Sequence, residues 1–218
     1  MFETGSIKLI ILDFDGVIVE SNNVKDLAFE KIFNRFPEHS HDFMQHHRQY
    51  VSTSRYAKFD YVLEKLGRTG DKKLKDQLAG DFSKLTLELM KSVSFVNGAK
   101  EFLADLYGKI PLYLASVTPI EDLEIILEHL QIRSFFKDVY GCPPWNKPDA
   151  IRDILKKEKQ THQTAVLIGD SYGDQRAASE TGVFFIGRES GLGFEEPYPA
   201  YIIPDLAGFS ALFTNHVQ

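Results

Sequence analysis

The chain has 218 residues, 43% hydrophobic and 26% charged, with a formal net charge of −6, a length that exceeds a peptide-sized scaffold and suits one large domain or a core with a smaller insert. Negative charge without a basic run argues against a nucleic-acid partner, and the single Cys142 excludes an intrachain disulfide. No apolar run approaches the ~18 residues of a membrane span, and the start from Met1 to Gly5 has neither the basic region nor the apolar stretch of a secretory signal, so the cytoplasm is the expected location.

In chain order, Leu9 to Phe14 is an apolar run of strand type that ends in Asp13, Asp15 and Gly16. Alternate strand residues face the same way, so the two carboxylates converge where the backbone opens, and Gly16 permits the turn away. The next strand comes only after roughly 90 residues, far more than an ordinary crossover needs. Residues 21–92 fill that gap and read as nearly all helical. Val24 to Phe36, Tyr56 to Leu66 and Leu74 to Met90 carry apolar residues at three- and four-residue spacing. Apparent hinges lie at Val19 to Asn22 and Ser92 to Asn97. A helix with Ala99, Phe102, Leu103 and Leu106 on one face then returns to the core.

From there strand and helix alternate. Strands are predicted at Leu112 to Val117, Asp138 to Gly141, Ala165 to Ile168 and Val183 to Ile186. Helices between them run from Ile120 to Leu130 after Thr118-Pro119, from Pro148 to Glu158, and from Asp174 to Thr181, the last ended by Gly182. The pattern predicts an α/β protein: a Rossmann-like, doubly wound parallel sheet core, residues 1–20 and 93–218, with an inserted all-helical cap domain, residues 21–92.

Polar residues recur where the strands end: Asp13 with Asp15, Ser116 with Thr118, Lys147, and Gly169-Asp170-Ser171-Tyr172-Gly173-Asp174. In a parallel sheet those ends share one edge, which gathers distant positions. The grouping suits phosphoryl transfer, which needs an in-line nucleophile and positive charge around the transferring group. On this reading Asp13 attacks phosphorus to form an aspartyl phosphate. Asp15 protonates the leaving oxygen and later deprotonates water. Magnesium prefers hard oxygen ligands and would take Asp13, the backbone carbonyl of Asp15 and Asp170, with Asp174 in support. Ser116 donates to a phosphoryl oxygen and Lys147 offsets the charge of carboxylates and phosphate.

Asp13-Phe14-Asp15-Gly16-Val17, Ser116, Lys147-Pro148 and the Gly169 to Asp174 segment together resemble the four ordered motifs of the haloacid dehalogenase-like superfamily. The helical insert after the first motif resembles the type 1 cap of the branch that includes phosphoglycolate phosphatases and beta-phosphoglucomutases. The resemblance implies Asp13 as nucleophile, Asp15 as acid/base, Ser116 and Lys147 as phosphate binders, and Asp170 and Asp174 as the magnesium end. It also implies a small phosphomonoester as substrate, such as a phosphorylated sugar or sugar acid. Members that remove halide lack the second aspartate of the first motif, and those that cleave phosphonates replace it, so Asp15 disfavours both. Ser54-Arg55 followed by Leu63 resembles the cap pattern of sugar mutases. That branch, however, has a cap histidine ten residues after the acid/base aspartate, where this chain has Lys25. The leading expectation is therefore a magnesium-dependent phosphatase. A sugar phosphomutase and a catalytically idle binding subunit remain as alternatives, and monomer and homodimer are both left open.

The remaining candidates are read more plainly. Gly16, Ser116, Thr118 and Lys147 are the candidate phosphate binders, with Arg55 and Lys25 of the cap candidates for a second anionic group; Ser116 and Thr118 are also natural helix caps. Lys58 reads as a solvated surface cation. His39, His41, His46 and His47 lack the spacing of a zinc pattern, the 17 Phe and 9 Tyr read as packing, Trp145 as a wall of the site or a cover of its loop, and Cys142 as a structural thiol.

Overall fold

A computed structural model describes residues 7–209 and divides the chain into two compact units: one runs to Glu20 and resumes at Ser94, and the other is Ser21–Val93. The first unit is built on a six-stranded, wholly parallel sheet in the order β3-β2-β1-β4-β5-β6. Its strands are β1 (Leu9–Leu12), β2 (Leu112–Ala115), β3 (Asp138–Tyr140), β4 (Ala165–Gly169), β5 (Phe184–Arg188) and β6 (Ile202–Ile203). This is a Rossmann-like order, and the direction of winding reverses between β1 and β4.

Burial on both faces accounts for the unbroken apolar runs. Leu9 and Ile11 of β1, Tyr113 and Ala115 of β2, and Ala165 and Leu167 of β4 share one core with Ala150, Ile151 and Ile154 of helix α7 (Lys147–Glu158) and Ala177 and Ala178 of α8 (Tyr172–Thr181). The alternate residues Ile10, Leu12, Leu112, Leu114, Val166 and Ile168 point the other way and are equally buried. Helices α5 (Ala99–Leu106) and α6 (Ile120–His129) complete this unit, each with a buried stripe: Ala99, Phe102, Leu103 and Leu106, then Leu123, Ile126 and Leu127.

β1 and β2 are shorter at their carboxyl ends than the apolar runs suggest, whereas β4 and β5 run on to Gly169 and Arg188. β1 stops at Leu12 and β2 at Ala115, so Asp13 to Phe14 and Ser116 to Val117 are loop. The sixth strand, β6, has no counterpart among the predicted elements; it is two residues long and carries no periodic signal of its own.

The second unit consists of α1 (Asn22–Phe33), α2 (Ser40–Gln49), α3 (Arg55–Lys65) and α4 (Lys72–Met90) around a phenylalanine-rich core. Phe29 is central to it, with ring centroids 4.2 Å from Phe82, 4.3 Å from His47, 5.3 Å from Phe33 and 5.9 Å from Phe59. Helix α2 is absent from the predicted elements because its sequence is mostly polar; only Phe43, Met44 and His47 turn inward.

Lys58 corrects its sequence reading: it is not solvated but buried, at 3% exposure. On α3 it shares a face with Arg55, Phe59 and Val62, at the three- and four-residue spacing that faces the core. Its ammonium donates to His47 Nδ1 at 2.8 Å and lies 5.0 Å from the Phe29 centroid. His47 Nε2 in turn sits 2.8 Å from Asp26 Oδ1. Burial, reinforced by the charge of Lys25 and only partly countered by Asp26, lowers the Lys58 amine to about 7.

The amine is therefore neutral in the folded protein above that pH and charged in the unfolded chain up to the ordinary lysine value. The unfolded state holds the extra proton, so stability rises with pH across this window. Between pH 7 and 9 the wild type is expected to gain up to about 1.4 kcal/mol per pH unit from this group, and Lys58→Met to flatten the rise. Urea unfolding at pH 7, 8 and 9 measures both; equal slopes in the two proteins would contradict the assignment.

Candidate active site

The carboxyl edge of the sheet gathers residues from four strand ends. β1 delivers Asp13 and, beyond Phe14, Asp15; both are 6% exposed. The chain then turns tightly: Ile18 and Val19 N–H groups donate to the Phe14 carbonyl, Gly16 N–H donates to the Val19 carbonyl at 2.8 Å, and Gly16 adopts φ 72°. That left-handed conformation is one a side chain would resist.

β2 leads to Ser116, whose N–H donates to the Tyr140 carbonyl at 2.9 Å and whose Oγ accepts the Thr118 N–H at 3.1 Å. The hydroxyl oxygen is thus engaged as an acceptor, with its proton available to donate. Thr118 Oγ1 donates to Asp15 Oδ2 at 3.1 Å, which turns the Asp15 carboxylate toward the loop after β2.

Lys147 is the first residue of α7, behind the N-cap Asn146, whose side chain accepts the Asp149 N–H at 2.9 Å. A lysine is ill placed at the positive end of a helix, but here its ammonium meets carboxylates. It lies 2.9 Å from Asp13 Oδ1 and donates a short hydrogen bond to Asp174 Oδ1. Burial works against the charged amine, but Asp13 and Asp174 outweigh it and hold its proton more tightly than an ordinary lysine does.

The turn after β4 supplies Asp170 and Asp174. Ser171 caps α8, and its N–H and hydroxyl both donate to Asp174 Oδ2, at 3.2 and 2.6 Å. Asp174 is brought close against the strand end, which only glycine permits at position 169: a Cβ there would stand 2.3 Å from Asp174 Cβ.

Asp13, Asp170 and Asp174 are all buried and can each offer an oxygen within 4.8 Å of the others. The Asp15 carboxylate is not part of that trio. Asp13 Oδ1 is buried, with the Lys147 ammonium at 2.9 Å. Burial first, then the charges of Asp174, Asp170 and Asp15, push the Asp13 carboxyl well above its ordinary range, with Lys147 only partly compensating. Four carboxylates against one ammonium among the described residues, three of them able to bring a hard oxygen together, is a donor set that fits a divalent cation.

The residues expected in the core thus come together at the sheet edge. Arg55 and Lys25 belong to the helical unit. Arg55 is 7% exposed, donates to Ser83 Oγ at 2.5 Å and lies 4.6 Å over the Phe82 ring, whereas Lys25 is half-buried. Trp145 packs against Tyr140 at 5.2 Å between ring centroids. Burial raises the half-buried Cys142 thiol. Of the histidines, His46 stacks on Tyr61 at 3.7 Å and His39 on Phe43 at 5.6 Å.

One core residue lies outside the set read from the sequence. Arg188, the last residue of β5, sends its guanidinium across the sheet edge to the turn after β1.

Comparison with known proteins gives a family match that spans the sheet edge. A family described as haloacid dehalogenase-like hydrolase matches residues 10–188. A phosphoglycolate phosphatase of Photobacterium profundum is 30% identical over 108 residues, 47% of this chain and 47% of that protein, so the match spans about half its length. Among solved structures, one described as a predicted phosphoglycolate phosphatase from Haemophilus somnus superposes with TM-score 0.76 at 18% identity, covering 95% of this chain and 98% of that one. A beta-phosphoglucomutase from Clostridium difficile does so with TM-score 0.74 at 17% identity, covering 97% and 99%. At such identities the likeness is one of fold.

Proposed function

The chain belongs to the haloacid dehalogenase-like hydrolase family, and from that premise we propose that it is a magnesium-dependent phosphatase that hydrolyses a small phosphomonoester through an aspartyl-phosphate intermediate. The observation that carries the reading is the buried carboxylate of Asp13, held beside Lys147 and flanked by Asp170 and Asp174 at the switch point of the sheet.

Asp13 is the nucleophile: its oxygen attacks phosphorus in line with the departing alcohol and forms an acyl phosphate. Lys147 neutralises charge on the phosphoryl oxygens, and the Ser116 proton is donated to one of them. Asp15, oriented by Thr118, gives its proton to the leaving oxygen and in the second half takes one from the water that attacks the acyl phosphate. Gly16 allows the turn that presents Asp15. Asp13, Asp170 and the Asp15 backbone carbonyl would hold magnesium, with Asp174 in support. Magnesium held there would supply a Lewis acid for the phosphoryl oxygens and would offset the surplus of carboxylates.

In the helical unit, Arg55 and Lys25 serve as recognition groups for a second anionic part of the substrate, which favours a phosphorylated sugar or sugar acid. No described helix is long and apolar enough to cross a membrane, and we assign the enzyme to the cytoplasm. The test is phosphate release from a panel of phosphorylated sugars, sugar acids, nucleotides and two-carbon acids, with and without magnesium, using Asp13→Asn as blank. One strongly preferred, magnesium-dependent substrate is expected. Silence across the panel, or interconversion of isomers without phosphate release, would overturn the reading.

A further inference from the structure

We infer that Arg188 and Glu20 form a clamp that positions the proton-transfer residue Asp15, acting through the carbonyl of Gly16. The inference rests on the role proposed above for Asp15.

Arg188 is 7% exposed and spends its guanidinium entirely on neighbours within its own unit. Nη1 donates to the Gly16 carbonyl at 3.1 Å and to Glu20 Oε2 at 3.1 Å, Nη2 makes a short hydrogen bond to Glu20 Oε1, and Nε donates to the Pro204 carbonyl at 3.2 Å. The planar fork thus engages both carboxylate oxygens of Glu20 and anchors to the segment after β6.

These contacts meet the catalytic loop at the end next to Asp15. Beyond Asp15 the turn is held by its own bonds, from Ile18 and Val19 to the Phe14 carbonyl and from Gly16 to the Val19 carbonyl, and its far end is tied to the returning chain by Glu20 N–H to the Ser94 carbonyl and Val96 N–H to the Ile18 carbonyl. The ties to Ser94 and Val96 hold the far end of the turn, and the Gly16 carbonyl at its near end is held by Arg188. β5 lies two strands from β1, with β4 between them, so Arg188 bridges the switch point and orients the turn against a rigid element. The carbonyl it grips belongs to Gly16, the residue after Asp15. Asp15 is therefore aimed from two sides, its carboxylate by Thr118 and its backbone by Arg188. Lysine has no planar fork and would replace only one of these bonds.

Proton donation supplies a readout that a loss of folded protein would not mimic. An alkyl phosphate needs its leaving oxygen protonated, whereas p-nitrophenyl phosphate departs as a stable phenolate and hardly does. In Arg188→Met, kcat/KM for the preferred alkyl phosphate is expected to fall about 100-fold, within the range of a displaced general acid, and that for p-nitrophenyl phosphate less than about 10-fold. Arg188→Lys is expected to recover part of the difference, and Glu20→Gln to show the same pattern more weakly. These two milder variants carry the test if Arg188→Met fails to fold.

Hydrogen exchange gives the second readout, independent of turnover. Amides 16–20 are expected to exchange about 10-fold or more faster in the variants, with those of β1 and β4 unchanged. Equal losses on both substrates, or unchanged exchange at 16–20, would overturn the clamp. A wild type that releases phosphate from nothing would overturn the phosphatase reading, and the exchange data would still decide whether Arg188 holds the turn.

Discussion

Asp13→Asn is expected to lower phosphate release by about 10⁴-fold or more, the scale on which enzymes lose a covalent nucleophile. The amide is nearly the same size, so the β1 end keeps its packing, but it cannot form the acyl phosphate. Stability responds differently. Burial and three neighbouring carboxylates make the charged form of Asp13 unfavourable in the metal-free protein, so removing that charge is expected to leave the thermal midpoint in chelator unchanged or higher. Added magnesium, which on the proposed reading would stabilise the wild type by binding only its folded state, is expected to raise the midpoint less in the variant. Thermal unfolding with and without magnesium, beside a phosphate assay, reads all three quantities. Retained turnover would remove Asp13 from the nucleophile's role.

Lys147→Met is expected to fail in the opposite way. The flexible apolar side chain fills the space but leaves Asp13 and Asp174 without the ammonium that lies between them. Losing one partner of a buried ionic group typically costs about 3–5 kcal/mol, so the midpoint in chelator is expected to drop sharply. Magnesium is expected to restore much of it, since a divalent cation can answer the same carboxylates. It is not expected to restore turnover, which should stay reduced by about 10²- to 10³-fold for want of the charge on the phosphoryl group. A midpoint indifferent to the substitution would mean that the lysine does not bind the cluster together.

These two residues are legible in the sequence because a buried parallel strand announces itself as an apolar run, and the polar residues just past such a run, at the carboxyl edge, are placed to meet a ligand. Asp13, Ser116 and Asp170 are found by that logic, and Lys147 by its place behind β3 and before Pro148. Arg188 is not, although it too stands at a strand end. Its partners Gly16 and Glu20 lie about 170 positions earlier in the chain, and no local pattern reports a contact of that separation. Lys58 escapes for a different reason: a lysine on a helix is solvated by default, and its burial depends on His47 of α2, a helix hidden by its polar composition. The signal is present but weak, since Arg55 and Lys58 occupy the same stripe as Phe59 and Val62.

The way the core is interrupted has an evolutionary consequence. Glu20 N–H donates to the Ser94 carbonyl at 2.9 Å, Val96 N–H to the Ile18 carbonyl at 3.0 Å, and Val19 and Phe95 form an antiparallel bridge. Chain departure and chain return are thus zipped together before the helical segment begins. Closing a loop whose ends are already paired costs little more when the loop is long than when it is short. The core can therefore host inserts of many lengths and sequences without renegotiating its own register. Residues 21–93 are free to drift, be lengthened or be exchanged wholesale while the sheet edge with Asp13 stays under separate selection, so a lineage built on this junction can diversify the insert without rebuilding the core.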